Sequence, residues 1–528
     1  MFSLQDKIFE SRLSRIDLCS YLNSSKSNYK ISIYRNHSFE MVEHTISIYL
    51  DYADVNAKFV YSDYDDTLTF FDLDLTADLV ILWLDLSRYN EQENYEEFIK
   101  NRISYLRKIY KKTILFIPFG KKISISEQNI ITYDLTPVSE ELGANYLDER
   151  LEAFSGTKLS PKSSILISRD LGLNYIPSCL KTPIKAIVFD LDNTLYSGVL
   201  GEDGIDGVKL SEGHLKLQTT IVELSKKGFF ICLASKNNLD DVNSLFAKRK
   251  DFPLQLKYIT KSVISWNSKA DSISQIIKFL NIGIKDLLFV DDNIGEIMTV
   301  KSVHPQINCI LAKDDANITN NVINNFPRLK KFNLNYEDLI RQKDTQSNEE
   351  RKKLQESLSK SDFLRSLDIN IGYSFNNPLQ INRISELSNK TNQFICAYKR
   401  YSVNQVTDMM NDADTLIISV SLKDKLSDSG IICCMFFVKR DCYIEIEECF
   451  VSCRALGRGI DDNIVLYPIE LAKKHFGIDF LKLNFVKGER NSPAESFVDE
   501  NLSCIKNTVN KLDLKITNDF VNISVKDC

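Results

Sequence analysis

The sequence has no long uninterrupted apolar run. Its longest, Ala77 to Leu86, contains Asp78 and Asp85 and is too short to cross a bilayer. The opening residues, Met1 to Asp6, have neither a basic head nor an apolar core, so no secretory signal is expected and the cytoplasm is the expected compartment. The twelve cysteines include no CxxC pair and no His–Cys cluster. That spacing predicts neither disulfides nor a zinc site. Cys232, Cys309, Cys433 and Cys434 lie in apolar stretches and read as small buried hydrophobes. There is no basic excess: the formal net charge is −6 and the pI about 5.7, which argues against a nucleic-acid binder. With 26% charged and 10% aromatic residues, a largely disordered chain is excluded too. A chain of 528 residues is too long for one core, and about three domains are expected.

The most informative stretch is Ile184 to Leu195, a β-branched run that ends in Asp190-Leu-Asp192-Asn-Thr194. Two carboxylates at the end of a buried strand repel each other unless something neutralises them. Mg2+ fits, because it takes oxygen ligands and keeps positions open for phosphate. An Asx-turn would account for a lone Asp-x-Asp, but three further elements follow in order. Phe229 to Ala234 is an apolar strand ending at Ser235, whose hydroxyl can donate to a phosphoryl oxygen. Lys269 opens an amphipathic helix (Ile273, Ile276, Ile277, Leu280) and can neutralise a phosphate and a carboxylate. Leu287 to Val290 is another apolar strand, ending in Asp291-Asp292, which can complete a metal shell opposite Asp190 and the main-chain carbonyl of Asp192. One of this pair can instead orient Lys269.

This set resembles the haloacid dehalogenase superfamily. The resemblance implies that Asp190 attacks phosphorus and Asp192 shuttles a proton. The gaps between motifs, about forty and then about thirty residues, are too short for an independent cap domain of about fifty or more. The glycines at 198, 201, 204 and 207 predict a loop or small hairpin over an open site.

Longer stretches, DLDNTLYSGVLGEDGIDGVKL, ASKNN and LLFVDDNIGE, resemble the FkbH family within that superfamily, as do Ile384 to Phe394 and Cys453 to Gly459. Tyr196 stands where that family usually has Trp. The resemblance implies a multidomain α/β chain: a doubly wound haloacid-dehalogenase-like core flanked by an SGNH- or flavodoxin-like α/β domain and a GCN5-acetyltransferase-like mixed domain. It also implies an enzyme that takes a small phosphorylated acyl donor, 1,3-bisphosphoglycerate, and loads glyceryl onto an acyl-carrier protein. The alternative is an acyl- or aminoacyltransferase or phosphatase that modifies a sugar in surface polysaccharide biosynthesis.

The expected layout is residues 1–180 as the first α/β domain, 181–330 as the catalytic core, 331–368 as a charged, solvated helical linker, and 369–528 as the acyltransferase-like domain. An SGNH hydrolase needs a Gly-Asp-Ser context after its first strand. Here that place reads Tyr34-Arg-Asn-His37-Ser38, so a non-hydrolytic docking or scaffold domain is expected. In the last domain a predicted strand runs into Arg454-x-x-Gly457-Arg458-Gly459 and then a helix-like run. Glycines there let backbone N–H groups approach phosphate, and the helix start favours negative charge. Arg454, Gly457, Arg458 and Gly459 are therefore candidates for CoA or phosphopantetheine. Cys453, beside Arg454, is a candidate acyl-carrying thiol, although one more buried cysteine is the simpler account of it.

Overall fold

The computed structural model describes residues 2–332 apart from 12, 22–27, 65–66, 90–93, 122, 124, 126 and 128. Beyond these it describes Asp344, Ser347, Arg351 and residues 354–526, apart from 356, 392, 453–454, 456–457, 489–490, 515 and 517–520. The chain forms two compact units, Met1–Leu334 and Asn335–Cys528. It is a multidomain α/β protein, as expected.

The first unit holds two five-stranded sheets. The strands of the first are β1 (Tyr29–Arg35), β2 (Ala57–Tyr61), β3 (Leu79–Asp85), β4 (Ile114–Phe119) and β5 (Ile130–Thr132), in the order β2-β1-β3-β4-β5. The second contains β6 (Ala186–Phe189), β7 (Phe230–Ser235), β8 (Lys261–Ile264), β9 (Leu287–Asp291) and β10 (Asn308–Leu311), in the order β10-β9-β6-β7-β8. Every pairing in both sheets is parallel. Helices cover both faces of such a sheet, so its central strands are apolar throughout. Accordingly β3, β4, β7 and β9 are buried at every residue. The order of the second sheet reverses between β6 and β9. A crevice opens at the strand carboxyl ends at such a point, where Asp190 directly follows β6 and Asp291 closes β9.

The two sheets of this unit share a seam. Tyr52, from the helix Glu40–Tyr52 of the first sheet, packs edge-on against Phe9 (ring centroids 5.8 Å apart) and Phe326 (6.1 Å). The helix Phe2–Phe9 also reaches the second sheet. The Gln5 amide donates to the Leu311 carbonyl (2.8 Å) and accepts from the Leu311 N–H (3.3 Å).

The second unit is built on a mixed sheet of eight strands. Its main path includes β11 (Ile369–Phe375), β13 (Thr415–Lys423), β14 (Asp428–Lys439), β15 (Ile444–Val451) and β16 (Phe480–Leu483), and the short β12 (Phe394–Ile395) pairs with β15. β14 and β15 are antiparallel neighbours, and the helix Tyr467–Phe476 follows them. Half of 331–368 lies outside the described residues. Among those described, Gln355, Ser357 and Leu358 are exposed, but Asp344 and Arg351 are buried within the second unit, which corrects the expectation of a solvated side chain at Arg351.

Tyr52 gives a test of the seam. Its hydroxyl is buried and has no hydrogen-bond partner among the described residues, and burying an unbonded hydroxyl is unfavourable. Tyr52→Phe should leave stability unchanged or raise it by up to about 1 kcal/mol. Tyr52→Ala should cost about 3 kcal/mol or more. Urea unfolding of the two variants checks both values.

Candidate active site

The site is assembled from strand ends. Asp190 immediately follows β6, and its N–H donates to the Val290 carbonyl of β9 at 3.0 Å. Ser235 closes β7. Lys269 is the first residue of the helix Lys269–Leu280, whose start is capped by Ser268 accepting from the Asp271 N–H. Asp291 closes β9. Each strand is apolar up to its last residue, so the polar group emerges where the sheet ends.

The Lys269 ammonium lies 2.9 Å from Asp190 Oδ2 and 2.5 Å from Asp291 Oδ2. All three side chains are at most 8% exposed. Asp291 Oδ1 accepts from the Asn293 N–H at 2.8 Å. One carboxylate oxygen each of Asp190, Asp291 and the half-buried Asp292 lie within 4.8 Å of one another. Both oxygens of Asp291 are therefore engaged, Oδ1 by the Asn293 N–H and Oδ2 by Lys269. Asp190 Oδ1 is buried and has no partner among the described residues.

The electrostatics follow from burial. Desolvation pushes the Asp190 carboxyl up, against the pull of Lys269. Desolvation and the neighbouring Asp190 push Asp291 up to about 7 and also raise Asp292. Burial alone would draw Lys269 down, but Asp190 and Asp291 outweigh it and leave the ammonium above its ordinary value. Three carboxylates face one ammonium, so a cation is needed before all three can ionise. An all-oxygen donor set with an orphaned buried oxygen fits a hard divalent ion such as Mg2+.

Asp192 is held apart from Lys269. Its Oδ1 accepts from the Tyr196 hydroxyl (2.7 Å) and the Leu200 N–H (3.0 Å), and its Oδ2 from the Asn237 amide (2.9 Å). The same Asn237 nitrogen donates to Ser235 Oγ at 3.1 Å. Sequence reasoning gave no role to Tyr196 or Asn237. Asn237 lies within the ASKNN stretch, and that position was the available signal. The glycine-rich segment after Asp192 forms a small closed loop, with Ser197 and Lys209 pairing across its base and two short helical turns within Leu200–Gly207, broken at Gly204 (φ +68°), between them. Gly198 has φ +110°, and a Cβ there would stand 2.7 Å from Asp203 Oδ2. The Val199 N–H donates to that same oxygen, so only glycine fits the turn.

Elsewhere the candidate residues divide. Cys453, Arg454 and Gly457 lie outside the described residues. Gly459 has φ +75°. Arg458 is buried and bonded to Asp344 (2.9 and 3.0 Å), Asp424 (3.2 Å) and Ser429 (3.1 Å). Arg351 joins the same pair of carboxylates. The Arg458 guanidinium is thus committed to protein carboxylates, which corrects its reading as a pyrophosphate contact. In the first sheet, burial lowers His37 to about 3, its ring stacks 4.7 Å from Trp83, and its Nδ1 meets Thr157 Oγ1 at 3.0 Å. The Ser38 hydroxyl donates instead to Glu40, so the adjacent pair does not form a nucleophile and base.

Comparison with known protein families and with curated proteins finds no match. Among solved structures the chain is similar to the N-terminal part of a Bacteroides fragilis protein containing a phosphatase domain complexed with Mg. Identity is 18% over 63% of this chain and 100% of that one, with a TM-score of 0.45. It is also similar to a HAD-family enzyme of Bacteroides thetaiotaomicron (15% identity, 25% of this chain, 95% of that one, TM-score 0.19). A third similarity is to a ribosomal-protein-alanine N-acetyltransferase of Brucella melitensis (11%, 28% and 99%, TM-score 0.20). The chemistry proposed below rests on the side chains themselves.

Two outcomes follow. Unfolded, Asp291 ionises near 3.8; folded, it keeps its proton to about 7. Between these values the folded chain binds a proton that the unfolded chain has lost. Stability of the metal-free protein should therefore fall as pH rises through this window and level off above about 7. Mg2+ relieves the same repulsion, so its gain in melting temperature over EDTA should be larger at pH 8 than at pH 5 in scanning fluorimetry. Equal gains would count against the cluster as a metal centre. Separately, Arg458→Ala should destabilise the chain by roughly 3–5 kcal/mol in urea, because two buried carboxylates lose a partner. A variant that stayed fully stable would return Arg458 to the role of ligand contact.

Proposed function

We propose that this chain is a Mg2+-dependent phosphoryl-transfer enzyme of the haloacid dehalogenase type, working through an aspartyl phosphate on Asp190. The observation that supports it best is the Asp190 carboxylate itself: its Oδ2 is tied to Lys269, its Oδ1 is buried with no hydrogen-bond partner among the described residues, and it clusters with Asp291 and Asp292. A buried carboxylate oxygen without a hydrogen-bond donor is open to a metal ion. Asp190 and Asp292, with the main-chain carbonyl of Asp192, would hold Mg2+, and Asp291 would orient Lys269. The bound ion supplies positive charge against the phosphoryl oxygens.

The Asp190 carboxylate attacks phosphorus, and the bond from phosphorus to the leaving oxygen breaks. That oxygen takes its proton from Asp192. Asp192 then takes a proton from water as the water oxygen attacks the aspartyl phosphate, and inorganic phosphate leaves with Asp190 regenerated. Lys269 and Ser235 meet the charge on the phosphoryl oxygens. The finer reading follows the FkbH resemblance: the donor is an acyl phosphate such as 1,3-bisphosphoglycerate, and the thiol of an acyl-carrier protein attacks its carbonyl carbon, so that a thioester forms as the bond from that carbon to the phosphate oxygen breaks and inorganic phosphate leaves.

Asp190→Asn is nearly isosteric and should keep the fold. It should lower phosphate release at least about a thousandfold, since no nucleophile remains, and EDTA should silence the wild type. Near wild-type turnover by the variant in Mg2+ would sink the reading. Intact-mass analysis of the enzyme with phosphoglycerates and a carrier protein tests the acyl step.

A further inference from the structure

The Asp192 carboxylate accepts three hydrogen bonds, and they divide unequally between its oxygens. Oδ1 takes the Tyr196 hydroxyl and the Leu200 N–H; Oδ2 takes only the Asn237 amide. Because that amide nitrogen also reaches Ser235 Oγ, Oδ2 is the oxygen on the Ser235 side. Tyr196 is fully buried, so its hydroxyl cannot turn to water in place of Asp192. The Leu200 bond comes from a loop closed at its base by Ser197 and Lys209 and held by Arg249 Nη1, which donates to the carbonyls of Ile205 (3.0 Å) and Val208 (2.8 Å). Rigid elements therefore fix Oδ1 from one side and leave Oδ2 the lone pair that can carry a proton towards a substrate.

We propose that Tyr196 is a positioning residue for proton transfer: its hydroxyl fixes Asp192 so that Oδ2 delivers a proton to the leaving group. The inference rests on the phosphoryl-transfer reading. It predicts an effect that scales with how badly the leaving group needs the proton. A p-nitrophenolate departs without help, whereas an alkoxide does not.

The test uses full-length Y196F, which keeps the ring and loses the hydroxyl. It is assayed in Mg2+ with p-nitrophenyl phosphate and with glycerol 3-phosphate. With glycerol 3-phosphate kcat/KM, which reports the leaving-group step and not the later attack of water, should fall about tenfold, and with p-nitrophenyl phosphate kcat/KM should change by less than about twofold. In the D192N background, Y196F should add no further loss on glycerol 3-phosphate. Equal slowing of both substrates, or losses that add to those of D192N, would overturn the proposal. A Y196F chain that could not fold would also overturn it, since Tyr196 would then be a packing residue. A wild type that releases phosphate from neither ester removes the phosphoryl-transfer reading itself; an active wild type with no split removes only Tyr196.

Discussion

The ammonium of Lys269 lies between the carboxylates of Asp190 and Asp291, and three elements of the second sheet meet at that contact. Asp190 comes from the end of β6, Asp291 from the end of β9, and Lys269 from the first turn of the helix after β8. Burying these charges is unfavourable unless each is paired, and one lysine does not match three acids. The fold therefore holds a deficit of positive charge at its own switch point. With burial, that deficit raises the carboxyls of Asp190, Asp291 and Asp292 above their ordinary values.

The strand-end groups were legible in the sequence because each closes an apolar run. A parallel strand buried on both faces must be apolar along its length, so the first polar residue marks the sheet edge. Asp190, Ser235 and Asp291 were all found this way. The partners of Asp192 were harder to read. Asn237 is 45 residues away in the chain, and nothing in its local pattern says which carboxylate its amide will meet. Tyr196 is only four residues from Asp192, yet in sequence it is one more aromatic, between Thr194-Leu195 and Ser197-Gly198.

The same limit applies to Arg351 and Arg458. A run rich in charge looks solvated, and an arginine in a glycine-rich turn looks like a phosphate contact, when each residue is judged alone. Asp344 and Arg458 are 114 positions apart, and Arg351 and Asp424 are 73 apart. Folded together, two arginines and two aspartates neutralise one another, which makes their burial tolerable. Glu448 is a second such case: it is buried in β15 and accepts N–H bonds from Cys396, Ala397 and Lys399. Periodicity records which residues are apolar, but it does not record which polar residues will find partners.

Gln5 deserves a different comparison. β10 is the outermost strand of the second sheet, and an outermost strand presents unpaired peptide groups to any other chain. The Gln5 amide donates to and accepts from the peptide groups of Leu311, as a neighbouring strand would. One side chain thus stands in for a sixth strand at that position. The helix Phe2–Phe9 is in this sense a guard on the sheet border, and a chain deprived of it would expose an adhesive edge to its own copies.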